Sequence, residues 1–498
     1  MQLTKTNYIQ YLQCPESLWL LKNKPEIYPN GEFSLFLEKL IKEGYEVEEY
    51  AKMLFPNGVD LPDNCDSTFT KERLKDDSVF YFQPSFLTED GAFARIDILE
   101  KIKDNSFHIY EVKSSTSIKT DKKHNHLKDI SFQKYVCENS GLNISKLSII
   151  YLDKNFVKKG NIKPENLLLI EDVTQKVNDL YNIVKIEINN ALNYIKKKSI
   201  NENFCSCKFN TRSNHCDSFS YFNPNILENS IYLINRISKK KINHLLKNNQ
   251  SKIIEVDVNS DVKFSDFQLN QILSAKTTKP FIESENIKKI LENLEFPLHF
   301  IDYETYPSAV PKIDKLSPHK QHVFQVSIHS LFKNEKLNHF EYLADKMELN
   351  NKMLSNMKRF TGLQGTFISW HASFEKSRNK DLINWFPEFK NYLEFINLKM
   401  FDLEDIFKKY FIDYRFNGST SIKNILPIIC PSLSYSNLDI SNGTMALDTW
   451  GRMVLDKNFK EDINLTRKNL LSYCELDTKA MVEIYFKLKK MVKLLKII

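Results

Sequence analysis

The chain is poor in the residues that loosen a fold, with 11 Gly and 16 Pro in 498 residues. That scarcity excludes collagen-like, linker-rich and repeat-loop architectures, which use those residues in bulk. No run of about 18 apolar residues occurs, so no membrane span is expected. The opening MQLTKTNYIQYLQCPESLW lacks a basic stretch followed by an apolar one, so no secretory signal is expected and the location to expect is cytoplasmic. No internal repeat is visible. What is present is ordinary globular material: 42% hydrophobic and 27% charged residues, enough to bury a sizeable core. The 70 Lys and Arg exceed the 63 Asp and Glu, and the resulting charge of +7 is compatible with a polyanionic partner without demanding one.

Three regions are expected, from a prior of about 150 residues per domain. Residues 1–220 open with helical patterns (Tyr8, Leu12, Leu18, Leu20, then Phe36, Leu40, Val47), pass through β-rich segments and end in a cysteine cluster. Val79–Phe82 and Ala92–Leu99 read as a hairpin around a turn at Asp90-Gly91, with a third strand over Phe107–Val112. Residues 221–295 are polar and read as a small helical connector. Residues 296–498 open on an apolar strand and close on a helical pattern from about Leu465 to Leu495, an α/β region.

Two carboxylates and an ammonium stand out in the first region. Asp97 ends one β pattern, and Glu111 and Lys113 lie two apart in the next, so they share a face while Tyr110 and Val112 point the other way. If the strands are neighbours, the three groups converge. Hard carboxylate oxygens suit Mg²⁺ or Mn²⁺, and an ammonium positions water or offsets phosphorane charge, which is the chemistry of phosphodiester hydrolysis. A solvated Glu–Lys pair on a strand is the bland alternative. The order of Asp97, the E-x-K strand and a helix bearing Gln133 and Tyr135 resembles the PD-(D/E)XK nuclease superfamily in its RecB-like branch. The resemblance implies a restriction-endonuclease-like fold with Gln133 and Tyr135 supporting the site. It also implies an acid or His on an N-terminal helix after a glycine, where Gly44-x-x-x-Glu48 stands among Glu43, Glu46 and Glu49.

Eight cysteines are present, and Cys205, Cys207 and Cys216 fall within twelve residues. In a long cytosolic chain such cysteines are buried thiols or metal ligands rather than disulfides. With Cys14 near the start, the pattern resembles the iron–sulfur members of the RecB-like branch, including the CRISPR-adaptation nucleases. The resemblance implies that Cys14, Cys205, Cys207 and Cys216 hold a [4Fe–4S] cluster joining the two ends of the domain. The C-x-C spacing departs from the usual C-x-x-C and keeps zinc as the alternative.

In the last region Asp302 and Glu304 lie two apart on a strongly apolar strand, so both face one side. Tyr473 and Asp477 sit at i and i+4 on one helix face. Between them Glu375 follows an apolar strand ending, Thr366–Trp370. This order of D-x-E, a central acid and Y-x-x-x-D resembles the DEDD exonucleases of the DnaQ-like, ribonuclease H-like fold, in the tyrosine subclass, over roughly residues 296–490. The resemblance implies Asp302, Glu304, Glu375 and Asp477 as ligands of two Mg²⁺ or Mn²⁺ ions, with Tyr473 orienting water and cleavage running from a 3′ end. Glu375 stands where that family has Asp, and Asp402 is the reserve candidate. Ser421-Ile422-Lys423 is similar to the Ser-Leu-Lys that precedes the family's last motifs, and reads equally as a helix start.

The expectation is a two-nuclease hydrolase acting on nucleic acid, DNA before RNA, in repair or defence. The rivals are an RNA-processing exonuclease and a nucleic-acid-binding scaffold with one or both sites inactive. Lys196–Lys198, Lys239–Lys241 and Lys487, Lys489, Lys490, Lys493 and Lys496 are candidates to track a phosphate backbone, each run being otherwise a solvated helix face.

Overall fold

Strand-forming apolar runs separated by amphipathic helices give a mixed α/β protein, and the computed structural model describes residues 1–29, 35–226 and 229–494. The chain divides into two units. The first takes Met1–Leu227 and Ser308–His319, the second Glu228–Pro307 and Lys320–Ile498. Among the described residues no helix is long and apolar enough to cross a membrane.

In the first unit six strands lie side by side in chain order: β1 (Val59–Asp60), β2 (Phe80–Phe82), β3 (Ile98–Lys101), β4 (Ser106–Lys113), β5 (Asn143–Leu152) and β6 (Leu168–Asp172). Strands β2, β3 and β4 are antiparallel, whereas β4 and β5 are parallel, as the helix between them requires. The helices that matter are α1 (Lys5–Gln13), α2 (Pro15–Asn23), α3 (Leu35–Lys52), α4 (His126–Asn139) and α5 (Thr174–Ile195). Strand alternation splits the apolar residues between two cores. Ile98, Tyr110 and Ile150 pack with Val47 and Ala51 of α3, while Leu99, Ile109 and Ile149 pack with Ile130 of α4 and Ile188 of α5. Each such buried side chain contributes about 1.5–3 kcal/mol.

The expected hairpin is divided. Phe80–Phe82 pairs with Ile98–Lys101, but Ser85–Leu87 pairs with Ala92–Arg95 in a separate small sheet with Leu3–Thr4. Gln83 has φ of 59° and Pro84 has no N–H to donate, so one straight ladder cannot continue through this corner. Asp97 therefore sits in the break between the two sheets rather than in a strand. At the turn Gly91 has φ of 103°, and a Cβ there would stand 2.8 Å from the Met1 carbonyl oxygen.

The second unit is built on a five-stranded sheet of β7 (Leu298–Tyr306), β8 (His322–Leu331), β9 (Leu337–Leu343), β10 (Thr366–Ser369) and β11 (Met400–Asp402), in the order β9-β8-β7-β10-β11. The first three form an antiparallel meander, and β10 and β11 join in parallel. Of the helices α6 (Ser373–Trp385), α7 (Ile422–Ile429), α8 (Gly443–Leu455) and α9 (Ile463–Leu494), α6, α7 and α9 carry candidate side chains. Helix α9 lies along β7 and β8, its Leu470, Ile484 and Leu488 packing into the core that holds Phe300, Phe324 and Trp450. The polar stretch before β7 carries helices Lys239–Lys247, Asp266–Thr277 and Ser284–Glu292 and belongs to this unit. The expected helix end at Leu495 and the candidate Lys496 lie outside the described residues.

Candidate functional site

In the second unit β7 carries Asp302 and Glu304 on the side covered by α9, which presents Tyr473 and Asp477 one turn apart. Carboxylate oxygens of Asp302, Glu304 and Asp477 all lie within 4.8 Å of one another. Tyr435 donates to Asp477 Oδ1 at 2.5 Å, and Lys423 Nζ reaches the Tyr473 hydroxyl at 3.4 Å and the Ser441 carbonyl at 2.9 Å. Glu375, in the first turn of α6, stands outside the trio. It is 2% exposed and accepts from Ser369 Oγ at 3.0 Å.

Burial and mutual repulsion govern the charge state of these acids. Burial first, and then the charges of Asp477, Glu304 and Glu375, hold Asp302 well above the usual carboxylate range. Burial and the charge of Asp477 push Glu304 up to about 8, against the pull of Lys423. Burial pushes Glu375 up to about 8, with the charge of Asp402 adding to it, and pushes Asp477 up to about 6 despite the Tyr435 hydrogen bond. Asp402 is engaged elsewhere, accepting from the backbone of His371 at 3.0 Å and of Glu404 at 3.1 Å.

The first unit assembles a different acid group. Glu111, 1% exposed, meets Lys113 Nζ at 2.7 Å and Lys5 Nζ at 2.5 Å, and its other oxygen accepts from Gln133. Lys113 also meets Asp129 at 2.7 Å. Asp97 accepts from the Val112 backbone at 2.8 Å. Burial and the charge of Glu111 raise Asp97 to about 8, whereas Glu111, though burial opposes it, is held below the usual range by Lys113 and Lys5. Glu48 belongs to the same field: burial raises its pKa first, and the charge of Glu111 adds to it. Its side chain accepts from Gln83, whereas Glu43, Glu46 and Glu49 pair with Lys39, Lys312 and Lys52. Tyr135 departs from its expected place. Two positions along a helix turn through about 200°, and its hydroxyl contacts Asp90 at 2.9 Å and Asn189 at 3.2 Å rather than the acids.

Cys14 caps the junction of α1 and α2, and Cys205, Cys207 and Cys216 follow α5 in short turns. The four Sγ atoms lie within 4.8 Å of one another, and Glu16 fastens the two segments by accepting from Ser206 Oγ at 2.7 Å. Hydrogen bonds among the thiols, led by that of Cys14, lower the pKa of Cys205 and Cys207. Four thiolates suit zinc or an iron–sulfur cluster. In a single tetrahedral zinc site the sulfurs lie about 3.8 Å apart when Zn–S is about 2.3 Å, a spacing inside the 4.8 Å limit seen here.

The expected basic runs are distributed over the surface. Lys196 donates to the Asp90 carbonyl at 3.4 Å, Lys241 to Gln268 at 2.6 Å and Lys489 to Glu335 at 3.3 Å. Other cations border the first acid group, where a cleft of about 690 Å³ is lined by Lys5, Lys113, Lys119, Lys123, His124 and Asp129. Sequence reasoning missed Lys5, Asp129 and Tyr435, whose long-range contacts leave no local signal.

Residues 299–421 match a family described as a domain of unknown function, DUF2779. That stretch holds Asp302, Glu304 and Glu375 and stops before Lys423, Tyr473 and Asp477. The chain is similar to an uncharacterised protein of Mycoplasma genitalium, 26% identical over 51% of this chain and 40% of that one. A Mycoplasma pneumoniae homologue of that protein is 26% identical over 54% of this chain and 48% of its own length. An uncharacterised protein of Ureaplasma parvum is 27% identical over 39% and 31% respectively. The chain thus matches less than half the length of each of these relatives.

Proposed function

We propose that the chain is a metal-dependent nuclease with two hydrolytic sites, acting on DNA, and that its units have the PD-(D/E)XK and ribonuclease H-like folds. One observation carries this reading: three carboxylates, from strand β7 and helix α9, sit within 4.8 Å of one another, with the charge of Lys423 acting on two of them. Such a group is costly unless protons or a cation offset it. The sheet order, three antiparallel strands followed by two parallel ones, supports the ribonuclease H-like reading.

Asp302, Glu304 and Asp477 would hold Mg²⁺ or Mn²⁺ at the second site, with Glu375 as a fourth acid, and Asp97 and Glu111 would do so at the first. When bound, such ions offset the charge of a scissile phosphodiester and generate hydroxide from water at neutral pH. Tyr473 holds the attacking water through its hydroxyl, and Lys423 stabilises the negative charge that develops on the phosphate. At the first site Lys113 does the same, and the basic cleft beside it receives the strand. The four cysteines would hold zinc or a [4Fe–4S] cluster, joining the α1–α2 junction to the segment after α5. Metal analysis of the purified chain, with Cys14→Ala and Cys216→Ala as comparisons, separates iron and sulfide from zinc alone.

The deciding experiment incubates the full chain with single- and double-stranded DNA and RNA in Mg²⁺, Mn²⁺ or EDTA. Metal-dependent release of mononucleotides from 3′ ends, lost in Asp302→Ala, is expected. Binding without cleavage under every condition would replace the nuclease by the scaffold reading, and cleavage of RNA alone by the RNA-processing one.

A further inference from the structure

A second set of metal donors lies on the far flank of α9. His329 of β8 and His339 of β9 are direct register partners, and their rings stack with centroids 4.3 Å apart. Glu475 of α9 completes the group: one nitrogen of each ring and a Glu475 oxygen lie within 4.8 Å of one another. Glu475 is two positions from both Tyr473 and Asp477, about 200° around the helix, so it faces away from the carboxylate trio.

The hydrogen bonds around the two rings fix their protons. Thr478, fully buried, donates its one hydroxyl proton to the Glu475 carbonyl at 3.0 Å. It must therefore accept from its other two neighbours, His329 Nδ1 at 2.8 Å and Ser327 Oγ at 2.8 Å. Ser327, having given its proton to Thr478, must accept from His339 Nε2 at 2.9 Å. Each imidazole is thus a donor at the nitrogen that a hydroxyl backs and carries its lone pair at the other nitrogen. Metal-binding histidines are oriented in this way by the acceptor behind them. Two such imidazoles and a carboxylate are the donor set of zinc sites with three protein ligands and an open fourth position, and imidazole favours zinc-class ions over Mg²⁺.

We propose that His329, His339 and Glu475 form a site for a divalent zinc-class ion that ties α9 to β8 and β9, separate from both the carboxylate trio and the four cysteines. Three protein ligands hold the ion and water fills the remaining position.

The test titrates zinc into the full chain, purified with its cysteine site loaded, and counts the equivalents bound. His339→Ala and Glu475→Gln should each bind one equivalent fewer than the wild type, and should do so again in an Asp302→Asn background, where the carboxylate trio is disabled. Thr478→Val, which removes only the backing hydroxyl, should weaken the same site by about 10–100-fold. Circular dichroism checks each variant, and Glu475→Gln, nearly unchanged in shape, decides the matter should His339→Ala fail to fold. Equal zinc stoichiometry in wild type, His339→Ala and Glu475→Gln would overturn the proposal, as would equal stoichiometry in Asp302→Asn with and without Glu475→Gln.

Discussion

The two acid groups of this chain solve the same electrostatic problem in opposite ways. In the first unit Glu111 is enclosed by its own cations, Lys113 and Lys5, and stays ionised although it is almost wholly buried. In the second, burial and like charge keep Asp302, Glu304 and Glu375 protonated well into the neutral range, with Lys423 the cation among the carboxylates of Glu304 and Asp477. The first group carries its counter-charge in the fold; the second sets Lys423 against the carboxylates of Asp302, Glu304 and Asp477. Removing one carboxylate should therefore have opposite effects on stability at the two places.

The largest expected effect is on rate. Asp302→Asn and Asp477→Asn should lower metal-dependent release of mononucleotides from 3′ ends by about 10³-fold or more, since a ligand's loss removes charge stabilisation and metal-activated water together. Single-turnover assays measure it, and a wild-type rate in Asp302→Asn would remove the second site from the mechanism. The same comparison fixes the sign of the stability change. Glu111→Gln should destabilise the chain by about 3 kcal/mol, because it takes the carboxylate from Lys5 and leaves Lys113 with Asp129 alone. Asp302→Asn should stabilise the metal-free chain, since it replaces a buried acid that must take up a proton when the chain folds at neutral pH. Denaturant melts in EDTA would register both, and destabilisation in both variants would erase the contrast between the units.

A smaller effect should appear with pH. An unfolded glutamate titrates near 4.3, whereas Glu304 and Glu375 titrate near 8 when folded. Between those values the folded chain holds protons that the unfolded chain has released, so raising the pH through this window favours unfolding. In EDTA the melting temperature of the second unit should fall from pH 5 to pH 8, by about 2–4 °C for each kcal/mol involved. Saturating Mn²⁺ should flatten the slope, because the metal competes with those protons. An identical slope with and without Mn²⁺ would detach the titration from metal binding. The smallest change is that of Tyr473→Phe, expected to slow cleavage about tenfold while metal affinity stays unchanged, since only a water-orienting hydroxyl is lost.

Much of this was legible in local patterns. Strand alternation puts Asp302 with Glu304 and Glu111 with Lys113, and helix periodicity aligns Tyr473 with Asp477, because each pair is set by a short spacing. Lys423 was visible only as half of an ambiguous helix start, yet it lies among the second acid group. Long-range pairing was not legible. The contact of Lys5 with Glu111 spans 106 residues, and that of Tyr435 with Asp477 spans 42. Glu48 could not be told from Glu43, Glu46 and Glu49 until their lysine partners were known. Tyr135 lies two positions from Gln133, about 200° around α4, so the two cannot share a face and only Gln133 reaches Glu111; the kink at Gln83-Pro84 divided what read as a single hairpin.

The return of Ser308–His319 to the first unit bears on how the chain is made. Ala309 and Val310 fill the core beneath α3, Lys312 pairs with Glu46 and Asp314 with Lys158. A ribosome that has just passed Leu227 has delivered every strand of the first sheet but not this segment, which emerges about 90 residues later. In vectorial synthesis the first unit must therefore wait, its α3 core partly open, until much of the second unit's opening sequence has been translated. A gene fragment ending near residue 227 would encode the six strands without the piece that closes their core.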